Sequence, residues 1–182
     1  MLRRRALAAL LLSSVACASG GEGPRPSISP IPSDLDAFGL SSPAFPDAGP
    51  IPDEFTCHGE DTSPALEWTG VPEGAVELLL TVNDPDAPSG VFTHWTVFAI
   101  DPAVDGVPAG AIPRGALEGT NDFGDVGYAG PCPPQGESHR YFFTLAALST
   151  ASGLQPGASP SEVDAAVGGA TATTTMTGSY PG

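Results

Sequence analysis

Three apolar runs separated by turn-forming residues constrain the fold of this chain most strongly. In residues 75–83, apolar and polar side chains alternate with the period of two that a sheet requires: Val76, Leu78, Leu80 and Val82 share one face. The runs 94–100 and 140–148 are apolar on both faces, which is typical of central strands covered on both sides. Shorter strand candidates span 65–68 and 173–180. The pattern predicts a mostly β, mostly antiparallel fold.

The connections between these runs are rich in the 23 glycines and 21 prolines of the 182-residue chain. Four prolines crowd residues 18–33, which predicts an exposed linker ahead of one domain at 34–182. One helix has clear end signals: Ser159 and Glu162 form a capping box, Pro160 occupies the first helical position, and Gly168 ends the helix. Long connections of this kind are where binding groups usually lie.

The first 17 residues have the layout of an export signal. Three arginines (3–5) precede the apolar run 6–12 and then small residues, and this run is too short to span a bilayer. Two cleavage sites compete: Ala16-Cys17-Ala18 fits a signal peptidase, whereas residues 14–17 resemble a lipobox that leaves a lipidated Cys17. The Ser/Gly/Pro-rich segment after Cys17 favours lipidation and Ser14, in place of the usual leucine, counts against it. Either route predicts export to the cell envelope or periplasm.

The charge is strongly acidic, with 6 Lys+Arg against 21 Asp+Glu. Half of the basic residues lie in the predicted signal, so the mature domain keeps only three arginines and no lysine. Such a surface repels phosphate backbones and anionic lipid surfaces. Nucleic-acid binding and polybasic membrane docking are therefore excluded, and membrane contact is expected only through an N-terminal lipid anchor.

Two cysteines, Cys57 and Cys132, are left once Cys17 is assigned to processing. In an oxidising compartment a disulfide between them is the default expectation, and two buried free thiols are the alternative. The sequence has no C-x-x-C pattern, so neither a structural zinc site nor a thioredoxin-like centre is indicated.

Two dense stretches carry the candidate chemistry. In DPDAPSGVFTHW (84–95), prolines stiffen a loop that bears Asp84 and Asp86 and leads into His94, although the aspartates could simply cap their own turn. In GYAGPCPPQGESHRY (127–141), glycines expose backbone N–H groups and His139 and Tyr141 add further donors, an arrangement suited to a small anion. The alternative is a proline-rich loop with a core histidine.

Together with NDFG (121–124) and TSPALEWTGVPEGA (62–75), these stretches resemble the phosphatidylethanolamine-binding protein family, in its bacterial Raf-kinase-inhibitor-like branch, over about 38–180. The resemblance implies a central antiparallel sheet packed on a smaller sheet with few short peripheral helices. It also implies a pocket for a phosphate or similar anion, with Asp86 and Trp95 as neighbours. The implied ligand-binding residues are Asp84, His94, Gly130, Pro131, His139 and Tyr141.

The expected function is binding without turnover and without a cofactor, and the expected ligand is a phosphate-containing small molecule or a lipid head group. Asp84 would either orient His94 or meet the cationic end of a zwitterion. One alternative is a protein-interaction or inhibitor module with an unknown partner that uses the same pocket. A hydrolase, or a zinc site on His58, His94 and His139, is a further alternative, but H-E-x-x-H and G-x-S-x-G are both absent.

Overall fold

The domain consists of two β-sheets and one short helix, seen in a computed structural model that describes residues 37–182. The strands are β1 (Gly39–Ser41), β2 (Gly49–Pro50), β3 (Leu66–Thr69), β4 (Glu77–Asp84), β5 (Phe92–Ile100), β6 (Gly106–Val107), β7 (Leu117–Glu118), β8 (Ser138–Leu148) and β9 (Ala172–Pro181). The helix is α1 (Pro160–Val167), and a single 3-10 turn spans Asp53–Phe55.

The larger sheet has six strands in the order β2-β9-β8-β4-β5-β7, and the smaller one has three in the order β1-β3-β6. All pairings are antiparallel except β2 with β9, which is parallel. The three apolar runs of the sequence form β4, β5 and β8, which lie side by side with β4 in the middle. The predicted mostly β fold, with a large antiparallel sheet, a smaller sheet and a peripheral helix, is confirmed.

The main core joins the two sheets. Leu66 and Trp68 of β3 are almost fully buried in one cluster with Leu80, Trp95 and Phe143 of the large sheet. Alternation along each strand directs these residues to the shared face. Burying side chains of this size contributes about 1.5–3 kcal/mol each to folding, before the entropy cost of ordering them.

The opposite face of the large sheet is also covered. The alternation of residues 75–83 suggested a polar, solvent-facing side, and that side is buried instead. Leu79 of β4 packs with Phe98 and with Val163 of α1 in a second cluster, so that Glu77 and Thr81 are buried as well. The buried carboxylate of Glu77 accepts hydrogen bonds from the backbone N–H groups of Ala99 (2.9 Å) and Ser152 (2.7 Å). These bonds offset the cost of removing its charge from water.

Helix α1 begins and ends where its sequence signals indicate. The Glu162 carboxylate accepts hydrogen bonds from the backbone N–H of Ser159 (2.8 Å) and from its hydroxyl (2.6 Å), Pro160 is the first helical residue, and Gly168 is the C-cap. Val163 is the buried anchor of the helix on the sheet.

The predicted signal (1–17) with its candidate lipidation site Cys17, and the predicted linker (18–33), lie outside the described residues. The helices of the described region include none that is both long enough and apolar enough to cross a membrane.

Candidate functional site

A cavity of about 310 Å³ opens where the ends of the three central strands meet. Because β4 is antiparallel to both of its neighbours, its last residue, Asp84, lies beside the first residues of β5 and β8. This register brings together the two dense stretches of the sequence. The lining residues are Asp84, Ala87, Pro88, Ser89, Phe92, His94, Phe123, Cys132, Pro133, Pro134, His139 and Tyr141.

A buried ion pair between Asp84 and His139 forms one side of the cavity. Asp84 Oδ2 lies 2.7 Å from His139 Nδ1, and Asp84 Oδ1 accepts a 2.8 Å hydrogen bond from the backbone N–H of Asp86. Asp84 therefore orients His139, not His94 as one expectation held. It also supplies the cap of its own turn, whereas Asp86 does not. Both carboxylate oxygens of Asp84 are engaged, which leaves its charge well compensated despite burial.

His139 is held in its charged form by a second carboxylate. Its Nε2 lies 3.1 Å from Glu137 Oε2, so both ring nitrogens face oxygens that only accept hydrogen bonds. Burial alone would lower the pKa of His139, but the hydrogen bonds to Asp84 and Glu137 outweigh it and raise the pKa above its usual value. The ring is accordingly an imidazolium in the neutral pH range.

His94 differs from His139 in charge state. Its Nδ1 lies 2.7 Å from the carbonyl oxygen of Ala129, which can only accept, so Nδ1 carries a proton and donates it. Burial lowers the pKa of His94, and its hydrogen bond to Ala129 and the charge of Asp84 only partly oppose that effect. The ring is therefore neutral, and within residues 37–182 its Nε2 makes no protein hydrogen bond.

The Tyr141 hydroxyl is the unsatisfied polar group of the site. The residue is fully buried, its ring packs edge-on against His94 at 5.2 Å between centroids, and its O–H has no acceptor among residues 37–182, although the backbone N–H of Cys132 faces its oxygen. Burial, with the charge of Asp84, raises the pKa of this phenol above its usual value. An orphaned donor is costly in a folded protein and is commonly explained by a ligand or water.

The outer wall of the cavity is apolar and is positioned by the NDFG turn. The Asn121 side chain is buried, donates to the carbonyl of Gly127 (3.0 Å) and accepts from the N–H of Phe123 (3.0 Å) and of Asp125 (3.2 Å). The turn thereby holds the Phe123 ring edge-on against the Phe92 ring, with 4.7 Å between the ring centroids. Phe123 nevertheless remains 55% exposed at the cavity mouth.

The facing wall is tied to the rest of the domain by a disulfide. The structure joins Cys132 to Cys57, whose Cα atoms lie 5.5 Å apart, and the Cys57 N–H donates to the carbonyl of Pro131 (3.2 Å). Cys132, Pro133 and Pro134 line the cavity directly beyond this link. The bond thus anchors the loop that closes this side of the site.

Four of the residues implied by the family resemblance do not line the cavity. Gly130 donates its N–H to Asp61 Oδ1 (2.7 Å). Pro131, directly before Cys132 in the chain, is buried and does not line the cavity. Asp86 forms a bidentate ion pair with Arg140 (2.8 and 2.6 Å) that lowers its pKa to about 2. The Trp95 indole donates to Glu118 Oε1 (2.8 Å) in the core.

The gaps in these sequence assignments have identifiable causes. Gly130 packs against the Phe55 carbonyl and Asp61 so closely that a Cβ would overlap them, so it is a packing glycine. Glu137, Phe92 and Phe123 were missed. Phe92 could have been predicted, because residues two apart on a strand share a face and Phe92 lies two residues before His94. Glu137 follows a turn outside any strand, so no periodicity predicts where its side chain lies.

The metal-site alternative is not supported by the positions of its three histidines. His58 Nδ1 lies 3.0 Å from the Tyr180 hydroxyl, while His139 is bound to Asp84. Among residues 37–182, no three His, Cys, Asp or Glu side chains converge in a way that could hold a metal ion.

The two histidines are expected to give the protein a stability maximum near pH 6.5, the ordinary pKa of histidine. The raised pKa of His139 contributes stability that is complete below pH 6.5 and is lost as the pH rises through that raised value. The depressed pKa of His94 contributes stability that is complete above pH 6.5 and is lost as the pH falls through that lowered value. Urea unfolding at about pH 5, 6.5 and 9 measures both slopes.

Two substitutions separate these contributions. His139→Gln should flatten the alkaline slope and His94→Gln the acid slope. An alkaline slope that survives unchanged in His139→Gln would contradict the assignment.

Comparison with known proteins identifies the family. The family model "Phosphatidylethanolamine-binding protein" matches residues 41–181. The "UPF0098 protein" of Methanothermobacter thermautotrophicus is 53% identical over 129 residues, which are 68% of this chain and 85% of that protein. LppC of Mycobacterium tuberculosis, provisionally described as a lipoprotein, is 40% identical over 162 residues, 82% of this chain and 80% of its own length.

A solved structure agrees with these sequence matches. The crystal structure of Escherichia coli YbcL, described as a new member of the mammalian PEBP family, matches with a TM-score of 0.75 and 34% identity over 79% of this chain and 98% of YbcL. The fold, the sequence similarity and the family model agree, and the chain therefore belongs to the phosphatidylethanolamine-binding protein family.

Proposed function

We propose that this protein is an exported binding protein whose cavity takes a phosphate group or a similar anion without turning it over. The observation that carries the proposal is the hydroxyl of Tyr141, a fully buried donor without an acceptor among residues 37–182, on a residue that lines the cavity with His94, Asp84 and His139. A ligand oxygen would satisfy this donor. His139 supplies a charged N–H once Glu137 is displaced from its Nε2, and His94 has an unengaged Nε2 that can donate when protonated.

A strongly acidic chain can bind an anion in this way because the donors act locally. Exposed carboxylates more than about 10 Å away are largely screened at ordinary salt concentrations. Inside the cavity, the low local dielectric strengthens hydrogen bonds from buried groups. The contribution of His139 and Tyr141 therefore outweighs that of distant surface charge.

The direct test is a titration with inorganic phosphate and with O-phosphoethanolamine, followed by calorimetry and by the NMR signals of the histidine rings and of Tyr141. Binding should shift the signals of His94, His139 and Tyr141 together, with saturation at one site. If neither compound shifted these signals, the protein would not have this function. Equal affinity for the two compounds would argue against any contact to the ammonium group, as expected from the fully engaged Asp84 carboxylate.

An aryl phosphate is expected to bind about tenfold more tightly than inorganic phosphate. Its ring would bury roughly 60–80 Å² against the apolar lining of Phe92, Phe123 and three prolines, which contributes about 1.5–2 kcal/mol. Calorimetry with phenyl phosphate measures the difference. Phe123→Ser should remove much of this advantage while leaving the affinity for inorganic phosphate unchanged, and loss of both affinities alike would refute the role of the wall.

The second candidate is a protein-interaction or inhibitor module that uses the same cavity. The exposed Phe123 (55%) and Val91 (66%) near the mouth favour a partner larger than a head group, because apolar side chains exposed at the edge of a site commonly mark an interface. A phosphotyrosine peptide that binds no more tightly than phenyl phosphate would count against this candidate.

Membrane tethering through Cys17 is the other part of the proposal, supported by the lipobox-like sequence and by the lipoprotein description of the relative LppC. In a bacterial host that processes lipoproteins, the wild-type protein should partition into the detergent phase on Triton X-114 extraction. Cys17→Ser should shift it to the aqueous phase, provided that Ala16 and Ala18 still permit cleavage. Equal partitioning of the two proteins would exclude the anchor.

A further inference from the structure

The carboxylate of Glu137 covers the one ring nitrogen of His139 that Asp84 leaves free. Glu137 Oε2 lies 3.1 Å from His139 Nε2, on the exposed side of the ring. The backbone of Glu137 is fixed, since its N–H donates to Pro134 and its carbonyl accepts from Gly182. Only the side chain of Glu137 can move away from the histidine.

With Glu137 in this position, neither N–H group of His139 is available to a ligand. The three charged groups Asp84, His139 and Glu137 carry a formal net charge of one negative unit, and the neutral His94 does not compensate it. An anion that enters the cavity therefore meets an occupied donor and a repulsive local charge. Binding through His139 requires that one of the two carboxylates leave.

The two carboxylates differ sharply in how easily they can leave. The Asp84 side chain is 5% exposed and both of its oxygens are hydrogen-bonded, so moving it would strand a buried charge. The Glu137 side chain is 53% exposed, and an ion pair with an exposed partner contributes little to stability. Glu137 is the carboxylate that a ligand can replace.

We infer that Glu137 is a built-in competitor of anionic ligands at His139, which lowers their affinity until it is displaced. This inference rests on the anion-binding function proposed above. A simple carboxylate such as acetate offers His139 the same group that Glu137 already supplies, and the tethered group acts at an effective concentration in the millimolar range. Acetate must therefore displace Glu137 without gaining a new contact, and it binds weakly.

A phosphate differs because it brings several acceptor oxygens and up to two negative charges. One oxygen can replace Glu137 at His139 while another accepts a hydrogen bond from the unpaired Tyr141 hydroxyl. Glu137 does not make this bond to Tyr141: among residues 37–182, the Tyr141 O–H has no acceptor while Glu137 contacts His139. Displacing Glu137 costs the same for either ligand, so the additional bond to Tyr141 makes phosphate the one better able to displace it.

The test measures the affinities of the full domain for inorganic phosphate and for acetate by calorimetry. Glu137→Gln should raise the affinity for both anions about tenfold, and for phosphate at least as much as for acetate, because it removes a competing and repelling charge. Glu137→Ala, which removes the whole group, should raise both affinities at least as far. Both changes lie on an exposed side chain, and thermal unfolding verifies that the variants are folded.

The matched control is Glu73→Gln, an exposed glutamate ahead of β4, at the opposite end of that strand from Asp84. It removes the same charge and should leave both affinities nearly unchanged. If Glu73→Gln raised the phosphate affinity as much as Glu137→Gln, long-range charge would explain the effect, and if Glu137→Gln raised neither affinity, Glu137 would not compete; in both cases the competitor role would be wrong while the binding function stood. If no variant bound phosphate, the binding function would fail and the inference with it.

Discussion

Replacing Cys57 and Cys132 together by alanine is expected to lower the free energy of unfolding by about 4 kcal/mol. The two residues are 75 positions apart, so the bond closes a long loop and removes much of the conformational freedom of the unfolded chain. Urea unfolding of the wild type and of the double variant at the same pH measures the difference. Because Cys132, Pro133 and Pro134 line the cavity, phosphate affinity should fall as well.

The wild-type protein provides the control for this prediction. Under reducing conditions its unfolding curve should move to that of the double variant, whereas the double variant should not respond to the reductant. A difference below about 1 kcal/mol would contradict the stabilising role. Rapid labelling of two free thiols in the native, unreduced protein would show that the bond is absent.

The strands could be predicted because their signal is local. The apolar runs at 75–83, 94–100 and 140–148 became the three central strands, since side-chain alternation and β-branched content act within each segment. Their relative positions required more than these patterns. The resemblance to a family supplied the expectation of a large and a small sheet, which periodicity alone does not give.

What covers each face of a strand could not be predicted. Glu77 and Thr81 have the chemistry of a solvent-facing row, but the second hydrophobic cluster and the segment around Ser152 bury them. Burial of this kind depends on where distant parts of the chain pack. A polar residue in a strand therefore indicates a face but does not establish exposure to water.

The pairing of side chains within the site was likewise beyond the sequence. Asp84, His94, His139 and Tyr141 were all identified as candidates, yet the partner of Asp84 is His139, 55 positions away, and not the nearer His94. Strand register decides this choice, because β8 brings His139 to the end of β4 while the Ala129 carbonyl takes the proton of His94 Nδ1. Register is a non-local property that no short motif reports.

Tyr141→Phe is expected to lower the affinity for phosphate about 10- to 100-fold and to leave the stability of the protein unchanged or higher. A hydrogen bond to a charged ligand contributes about 1.5–3 kcal/mol, which corresponds to that loss of affinity. In the free protein the same O–H is buried without an acceptor among residues 37–182, so its removal breaks no bond that it donates and relieves a desolvation cost. Calorimetric titration and urea unfolding measure the two effects.

Tyr180→Phe is the matched control, because it removes the same atom from a satisfied position. The Tyr180 hydroxyl donates to Asp53 Oδ1 (3.0 Å) and lies 3.0 Å from His58 Nδ1, and the residue does not line the cavity. This variant should lose about 1 kcal/mol of stability and keep its phosphate affinity. The opposite pattern, in which Tyr141→Phe destabilises the fold and binds phosphate normally, would assign the Tyr141 hydroxyl to structure and remove the observation on which the binding function rests.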